Sequence, residues 1–187
     1  ASFMDPQQRI MLELAWSCLE DACYRPSDLI GSDTGVFIGC GTSDYRELQE
    51  RSHTPSTGHT SLGSSVASMI PNRISYQFGF HGPSIPVDAW CASSLYALHA
   101  ACQSLHSGEC AMALTGGVNL LTGATIYNSF SDLGMLSESG QCRAFDALAD
   151  GYVRGEGAGL ILLKPLECAI RDNDHIYGAI CSSAVNH

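Results

Sequence analysis

One cysteine stands where the chain changes from extended to helical spacing. In Val87-Asp88-Ala89-Trp90-Cys91-Ala92-Ser93-Ser94-Leu95, a strand-like run gives way at Cys91 to apolar residues at helical intervals. Unpaired backbone N–H groups at a helix start favour negative charge, so a cysteine placed there is biased toward the thiolate. A thiolate attacks carbonyl carbon, and an N–H of the same turn can hold the oxyanion that forms. The arrangement is that of a nucleophile elbow with sulfur for oxygen, lacking the flanking Gly-x-Ser-x-Gly of hydrolases. Taken alone, these nine residues suit a buried cysteine capping a helix equally well.

The other reactive side chains offer less. Cysteines 18, 23, 40, 102, 110, 142, 168 and 181 show no C-x-x-C pair and no Cys/His ladder of the zinc type, so no metal site is expected. Most sit among apolar residues, where free cysteine packs as a small hydrophobe in a reduced, cytoplasmic protein. His53 and His59 fall in a Ser/Thr/Gly-rich stretch, residues 51 to 64, that reads as a surface loop. Gly116-Gly117 and Gly155-Glu156-Gly157 match neither G-x-G-x-x-G nor a Walker pattern, and close packing near a site is the expectation for them. Asp146, Arg154 and Glu156 are expected to form a structural ion-pair network.

Several function classes are excluded by composition. The net charge is −10, from 9 basic and 19 acidic residues, and no Lys/Arg cluster offers a footprint for nucleic acid. No apolar run approaches the roughly 18 residues of a membrane span, and no signal peptide is visible. A 45% hydrophobic and 15% charged composition suits a packed domain with much of its surface covered. The chain opens at Ala1 just ahead of a helix start and stops at His187 after a strand-like run, which reads as a piece of a larger polypeptide.

The elements that would position Cys91 alternate in type. Asp5-Pro6-Gln7-Gln8 is a helix start, with Asp5 as cap and Pro6 in the first turn. Met11, Leu14, Cys18 and Ala22, with Leu12, Ala15 and Leu19 beside them, give that helix an apolar face ending at Arg25-Pro26. Buried strands are expected at Thr34–Gly39, Ala111–Gly117 and Gly157–Leu163, with a last one from about Ile176. Gly82 to Asp88 carries two prolines and suits an edge or interface strand rather than a central one. Helices are expected through Val66–Met69, across Leu95, Leu98, Cys102 and Leu105, near Thr122 to Phe130, and around Glu167 to Asp172. This alternation predicts an α/β layered sheet covered on both faces.

Asp88-Ala89-Trp90-Cys91-Ala92-Ser93-Ser94-Leu95 is similar to the Asp-Thr-Ala-Cys-Ser-Ser-Ser-Leu signature of the β-ketoacyl synthases (ketosynthases) of modular type I polyketide synthases. Phe3 to Arg9, Pro71 to Tyr76, Ala101 to Leu105, Leu114 to Asn119, Gly134 to Ser137, Arg143 to Asp146 and Gly151 to Gly157 resemble the same family, in family order. Trp90 departs from it, standing where a small residue is usual, and Ala92 replaces a serine. The bulk of Trp90 is either a packing change or a constriction of the acyl pocket.

The resemblance implies a thiolase-like layered fold, present as its amino-terminal half over residues 1–187, with the other half beginning from about residue 175. It implies that Cys91 takes an acyl chain from the phosphopantetheine of an acyl carrier protein, with its N–H as one oxyanion donor. A malonyl-type thioester is then decarboxylated and condensed onto that chain. No cofactor is expected to bind directly, and the intact domain is expected to be a cytoplasmic homodimer. The family's two catalytic histidines lie in His-Gly-Thr-Gly-Thr and Asn-x-Gly-His contexts, which this chain does not contain, so it is expected to be inactive alone. The family's first strand is also expected to be missing, leaving a gap between Val36–Cys40 and Ala111–Thr115. The alternatives are a fatty-acid ketosynthase and a non-elongating ketosynthase that binds carrier protein without condensing.

Overall fold

The computed structural model describes residues 4–41, 43–51 and 66–186, so His53, His59 and all but Arg51 of the expected 51–64 loop lie outside the described residues. Asp5 caps helix α1 (Pro6–Asp21), its Oδ1 accepting the Gln7 N–H at 2.8 Å. Met11, Ala15 and Leu19, each one turn apart, are fully buried, and Leu12, Leu14 and Cys18 flank them half-buried. The stripe is therefore centred on Met11–Ala15–Leu19, with the expected Leu14 and Cys18 at its flank. α1 ends earlier than Arg25-Pro26, because Cys23 turns left-handed at φ 59° and Pro26 opens a separate 3-10 turn, Pro26–Leu29.

β1 (Thr34–Cys40) is buried at every residue. After it come α2 (Tyr45–Arg51) and α3 (Met69–Phe78). Pro71 lies in the first turn of α3, where its missing N–H has no helical partner to lose. Gly79, at φ 68°, closes α3 by donating to the Ser75 carbonyl. Then follow β2 (Ser84–Val87), α4 (Ser93–His106), β3 (Met112–Asn119), α5 (Thr125–Asp132), β4 (Gly157–Leu163) and α6 (Leu166–Arg171).

The sheet runs in the order β2, β1, β3, β4. β1 is parallel to both β2 and β3, while β4 is antiparallel to β3. β2, with Pro86 inside it and Pro83 just ahead of it, takes an edge rather than a central place, as expected. The expected gap between the first and second buried strands is absent. β1 and β3 pair directly from Thr34↔Met112 to Cys40↔Val118, a continuous ladder that leaves no room for a strand between them.

Alternate residues of the central strands face opposite layers. Val36, Ile38, Cys40, Met112, Leu114 and Val118 join α1 and α3 in the larger core. Phe37 and Ala113 join Ala97 and Ala101 of α4 in the smaller one. Fully burying a side chain such as Ile38 or Leu114 contributes about 1.5–3 kcal/mol, so the sheet is held chiefly by its two middle strands. Coverage on both faces fails at β4. Leu160 and Leu162 pack on the larger core, but Ile161, pointing the other way, is 48% exposed. The strand expected from Ile176 is also not formed. Residues 175–186 run irregularly, touching α1 where Tyr177 Oη donates to Asp21 Oδ1 at 3.0 Å and α4 where His99 Nδ1 and Ser183 Oγ lie 2.9 Å apart.

Candidate active site

Cys91 occupies the middle of a 3-10 turn, Trp90–Ala92, that joins the end of β2 to α4. Side chains on either side fasten this turn. Ser93 Oγ donates to the Trp90 carbonyl at 2.6 Å and accepts the Ala89 N–H at 2.8 Å. Asp88 Oδ1 accepts the Trp90 N–H at 3.2 Å, and Ala92 N–H reaches the Ala89 carbonyl at 3.1 Å. The N–H of Cys91 has no acceptor among the described residues. Asp88 and Ser93 had no role assigned from sequence; they build the turn.

The start of α4 sits almost on the backbone of two strands. A Cβ on Gly39 would lie 2.5 Å from Ser93 C and 2.6 Å from Ser94 Cα, and one on Gly117 would lie 2.9 Å from Ser94 Cβ. Only glycine permits this approach, so β1 and β3 set the height at which Cys91 is held. Gly116 is similarly pressed against the Gly159 carbonyl of β4. Close packing therefore accounts for Gly116-Gly117. It does not account for Gly155 and Gly157, whose Cβ positions meet nothing within 4 Å.

Cys91 is exposed and opens onto a cleft of about 880 Å³ at this end of the sheet. Gly39, Gly117 and Gly159 contribute backbone to its lining, and Trp90, Phe130, Tyr152 and Arg154 contribute side chains. Cys40 borders the same cleft but is 2% exposed, and burial, aided by Asp88, pushes its thiol up to about 11. Burial likewise pushes Cys18 up to about 11 and raises Cys102. All nine cysteines are free thiols. Cys91 is the one that combines exposure with a place on this cleft.

Trp90 adopts φ 52°, a left-handed conformation that costs a non-glycine residue roughly 1–3 kcal/mol. Its indole meets Phe130 edge-on at 6.2 Å. The expected ion-pair network of Asp146, Arg154 and Glu156 is not formed. Asp146 Oδ1 accepts the Leu148 N–H, and Glu156 Oε1 accepts the Leu121 N–H at 2.7 Å. Arg154 lies instead over the rings of Phe130 and Tyr127, at 5.2 and 5.8 Å. Sequence reading missed this aromatic group. Its one local signal is the spacing of Tyr127 and Phe130, three apart on one helix face. Among the described residues no cluster of His, Cys, Asp or Glu could hold a metal ion, and no helix is long and apolar enough to cross a membrane.

The family described as beta-ketoacyl synthase, N-terminal domain, matches residues 1–169. The polyketide synthase ThaG of Burkholderia thailandensis is 52% identical over 184 residues, covering 98% of this chain and 3% of that protein. The polyketide synthase PksN of Bacillus subtilis is 46% identical over 187 residues, covering 100% of this chain and 3% of that protein. Among solved structures, the ketosynthase from module 6 of the bacillaene synthase of Bacillus subtilis 168 superposes with a TM-score of 0.84 at 40% identity. That match covers 94% of this chain and 29% of the other. The oxazolomycin ketosynthase domain OzmH KS7 of Streptomyces albus JA3453 gives 0.83 at 40% identity, covering 92% and 30%. The chain thus spans a small part of the curated relatives and under a third of the solved ketosynthases.

Proposed function

The chain belongs to the β-ketoacyl synthases, as an amino-terminal part of a polyketide synthase ketosynthase with the mixed α/β fold of that family, and on that footing we propose that Cys91 is the nucleophile on which the parent enzyme carries its growing acyl chain. The observation that carries this reading is the position of Cys91: an exposed thiol on the cleft, at the start of α4, beside its own unengaged N–H.

In the proposed first step the Cys91 sulfur attacks an acyl thioester on the phosphopantetheine arm of an acyl carrier protein. An S–C bond forms, the bond from acyl carbon to pantetheine sulfur breaks, and the cysteine's proton ends on the released pantetheine thiol. The Cys91 N–H would hold the oxyanion between these events. Loss of CO₂ from a malonyl-type thioester then supplies a carbanion, which forms a C–C bond to the acyl carbon and expels the Cys91 thiolate. This second step, an acyl transfer to carbon, is assigned to the intact parent. The chain holds no histidine in either context that the family uses for decarboxylation, and we read 1–187 alone as inactive in condensation. We further read 1–187 as part of one ketosynthase domain, with the start of its other half from about residue 175. Carrier protein, acyl and malonyl thioesters and a second copy of the domain are the proposed partners, and the cytoplasm the proposed compartment.

The test uses the full parent polypeptide and a short acyl thioester of N-acetylcysteamine. Intact-mass measurement should show one acyl group per ketosynthase, lost in Cys91→Ala. Undiminished acylation of Cys91→Ala would refute the assignment.

A further inference from the structure

The cleft beside Cys91 has an aromatic side whose members hold one another. Phe130, on α5, meets Tyr152 at 6.1 Å between ring centroids and 77° between planes. The Arg154 guanidinium lies over the same Phe130 ring at 5.2 Å. With a ring on one side and a cation on its face, Phe130 has little freedom to turn away. Trp90 leans on it at 6.2 Å and 81°, yet remains 71% exposed. The indole is thus supported at one edge and open over most of its surface. The left-handed backbone at φ 52° fixes the direction of the Cα–Cβ bond from which the indole extends. The strand ends that line the same cleft contribute Gly39, Gly117 and Gly159, which raise no side chains against an entering chain.

We propose that Trp90 is the specificity-determining residue of this cleft, and that it selects acyl chains that are flat beside the thioester, conjugated enoyl or aryl-acyl groups, over saturated chains branched next to it. The proposal rests on Cys91 being the acylated residue. A planar chain leaving the Cys91 sulfur presents a π face to the indole attached to the preceding residue, and offset or edge contacts between such groups are favourable. A tetrahedral branched carbon directs methyl groups out of the plane, toward a ring that its backbone and Phe130 keep from withdrawing. Removing the ring therefore favours the branched chain in two ways, by relieving a clash and by depriving the planar chain of its partner.

The experiment compares single-turnover acylation of the full parent polypeptide by sorbyl and 2-methylbutyryl thioesters of N-acetylcysteamine, read by intact mass. Only the acyl increment is scored, so that conjugate addition to the dienoyl chain, which retains the N-acetylcysteamine, is excluded. Intrinsic reagent reactivity cancels when the sorbyl-to-branched rate ratio of each variant is divided by that of wild type. Trp90→Ala should lower this ratio at least about tenfold, the scale on which pockets discriminate small changes in apolar shape. Trp90→Phe should keep most of the preference. Phe130→Leu, which leaves Trp90 in place but removes its support, should fall between. A ratio unchanged within twofold in Trp90→Ala, with Phe130→Leu also unmoved, overturns the proposal. Cys91→Ala separates the two claims. Acyl increments that persist in that variant refute the nucleophile, whereas increments that vanish there while the ratio ignores Trp90 refute the role of Trp90 alone.

Discussion

Gly39→Ala tests how the sheet sets the height of Cys91. The added Cβ would lie 2.5 Å from Ser93 C and 2.6 Å from Ser94 Cα, where ordinary contact begins at 3.4 Å, so backbone must yield by about 1 Å. β1 is buried on both sides and paired on both edges, so the yielding partner is the first turn of α4, which carries Cys91 at its threshold. Overpacking of this kind costs typically about 1–3 kcal/mol, which a domain of this size can survive. A misplacement of about 1 Å at reacting atoms costs on the order of 10²-fold in rate. Acylation of Cys91 by a short thioester, followed by intact mass in the parent polypeptide, should therefore slow by about two orders of magnitude while thermal unfolding shifts modestly. Gly117→Ala, whose Cβ meets the Ser94 side chain at 2.9 Å, should show a smaller loss, and Gly178→Ala, meeting nothing within 4 Å, none. A Gly39→Ala protein that acylates within twofold of wild type would refute the idea that these glycines seat Cys91.

Asp5→Ala should cost about 1–2 kcal/mol in urea unfolding, because the Gln7 N–H loses a buried cap and Ser43 Oγ loses its acceptor. Cys40, raised from 9.0 to about 11, should escape iodoacetamide at pH 8 and become reactive only as the pH nears 11. With a folded pKa above the unfolded one, its contribution is full below pH 9 and lost through pH 11, so Cys40→Ala should flatten the alkaline fall in stability across that window. Lys164 Nζ binds Tyr24 Oη at 2.7 Å, Asp172 at 2.6 Å and Asp174 at 2.7 Å. Arg171 and Lys164 hold Asp172 well below the ordinary carboxylate value of 3.8, a contribution present above that pH and lost as the pH falls. Lys164→Met should accordingly move the acid-unfolding midpoint upward, as followed by circular dichroism.

The parts of the fold written in local pattern are legible in the amino-acid sequence. The capping signal at Asp5, the apolar runs of β1 and β3 and the prolines that send β2 to an edge all act within a few residues of their cause. So does the turn at Cys91, where an extended run meets helical spacing. The features that sequence reading misplaces depend on distant partners. The adjacency of β1 and β3 is a ladder between segments some 78 residues apart, as in Thr34↔Met112, and no local signal states it. Proximity along the chain pairs Arg154 with nearby acids, but the fold brings Phe130 and Tyr127 beneath it. Ile161 belongs to an apolar run yet is exposed, because a strand's period of two sends it away from the α1 side. The apolar run after Ile176 forms no strand; its described contacts are with distant helices, Tyr177 with Asp21 of α1 and Ser183 and Asn186 with α4, which no local pattern states.

The central claim is that Cys91 carries the acyl chain, and competition among the nine cysteines tests it most directly. The parent polypeptide would be treated near pH 7 with a limiting amount of acyl thioester, digested, and mapped by mass spectrometry over time. Cys91 should be acylated first, ahead of the exposed Cys23, Cys142 and Cys181, with the buried Cys40, Cys102 and Cys110 untouched. Acyl groups accumulating on another cysteine while Cys91 stays unmodified would contradict the account.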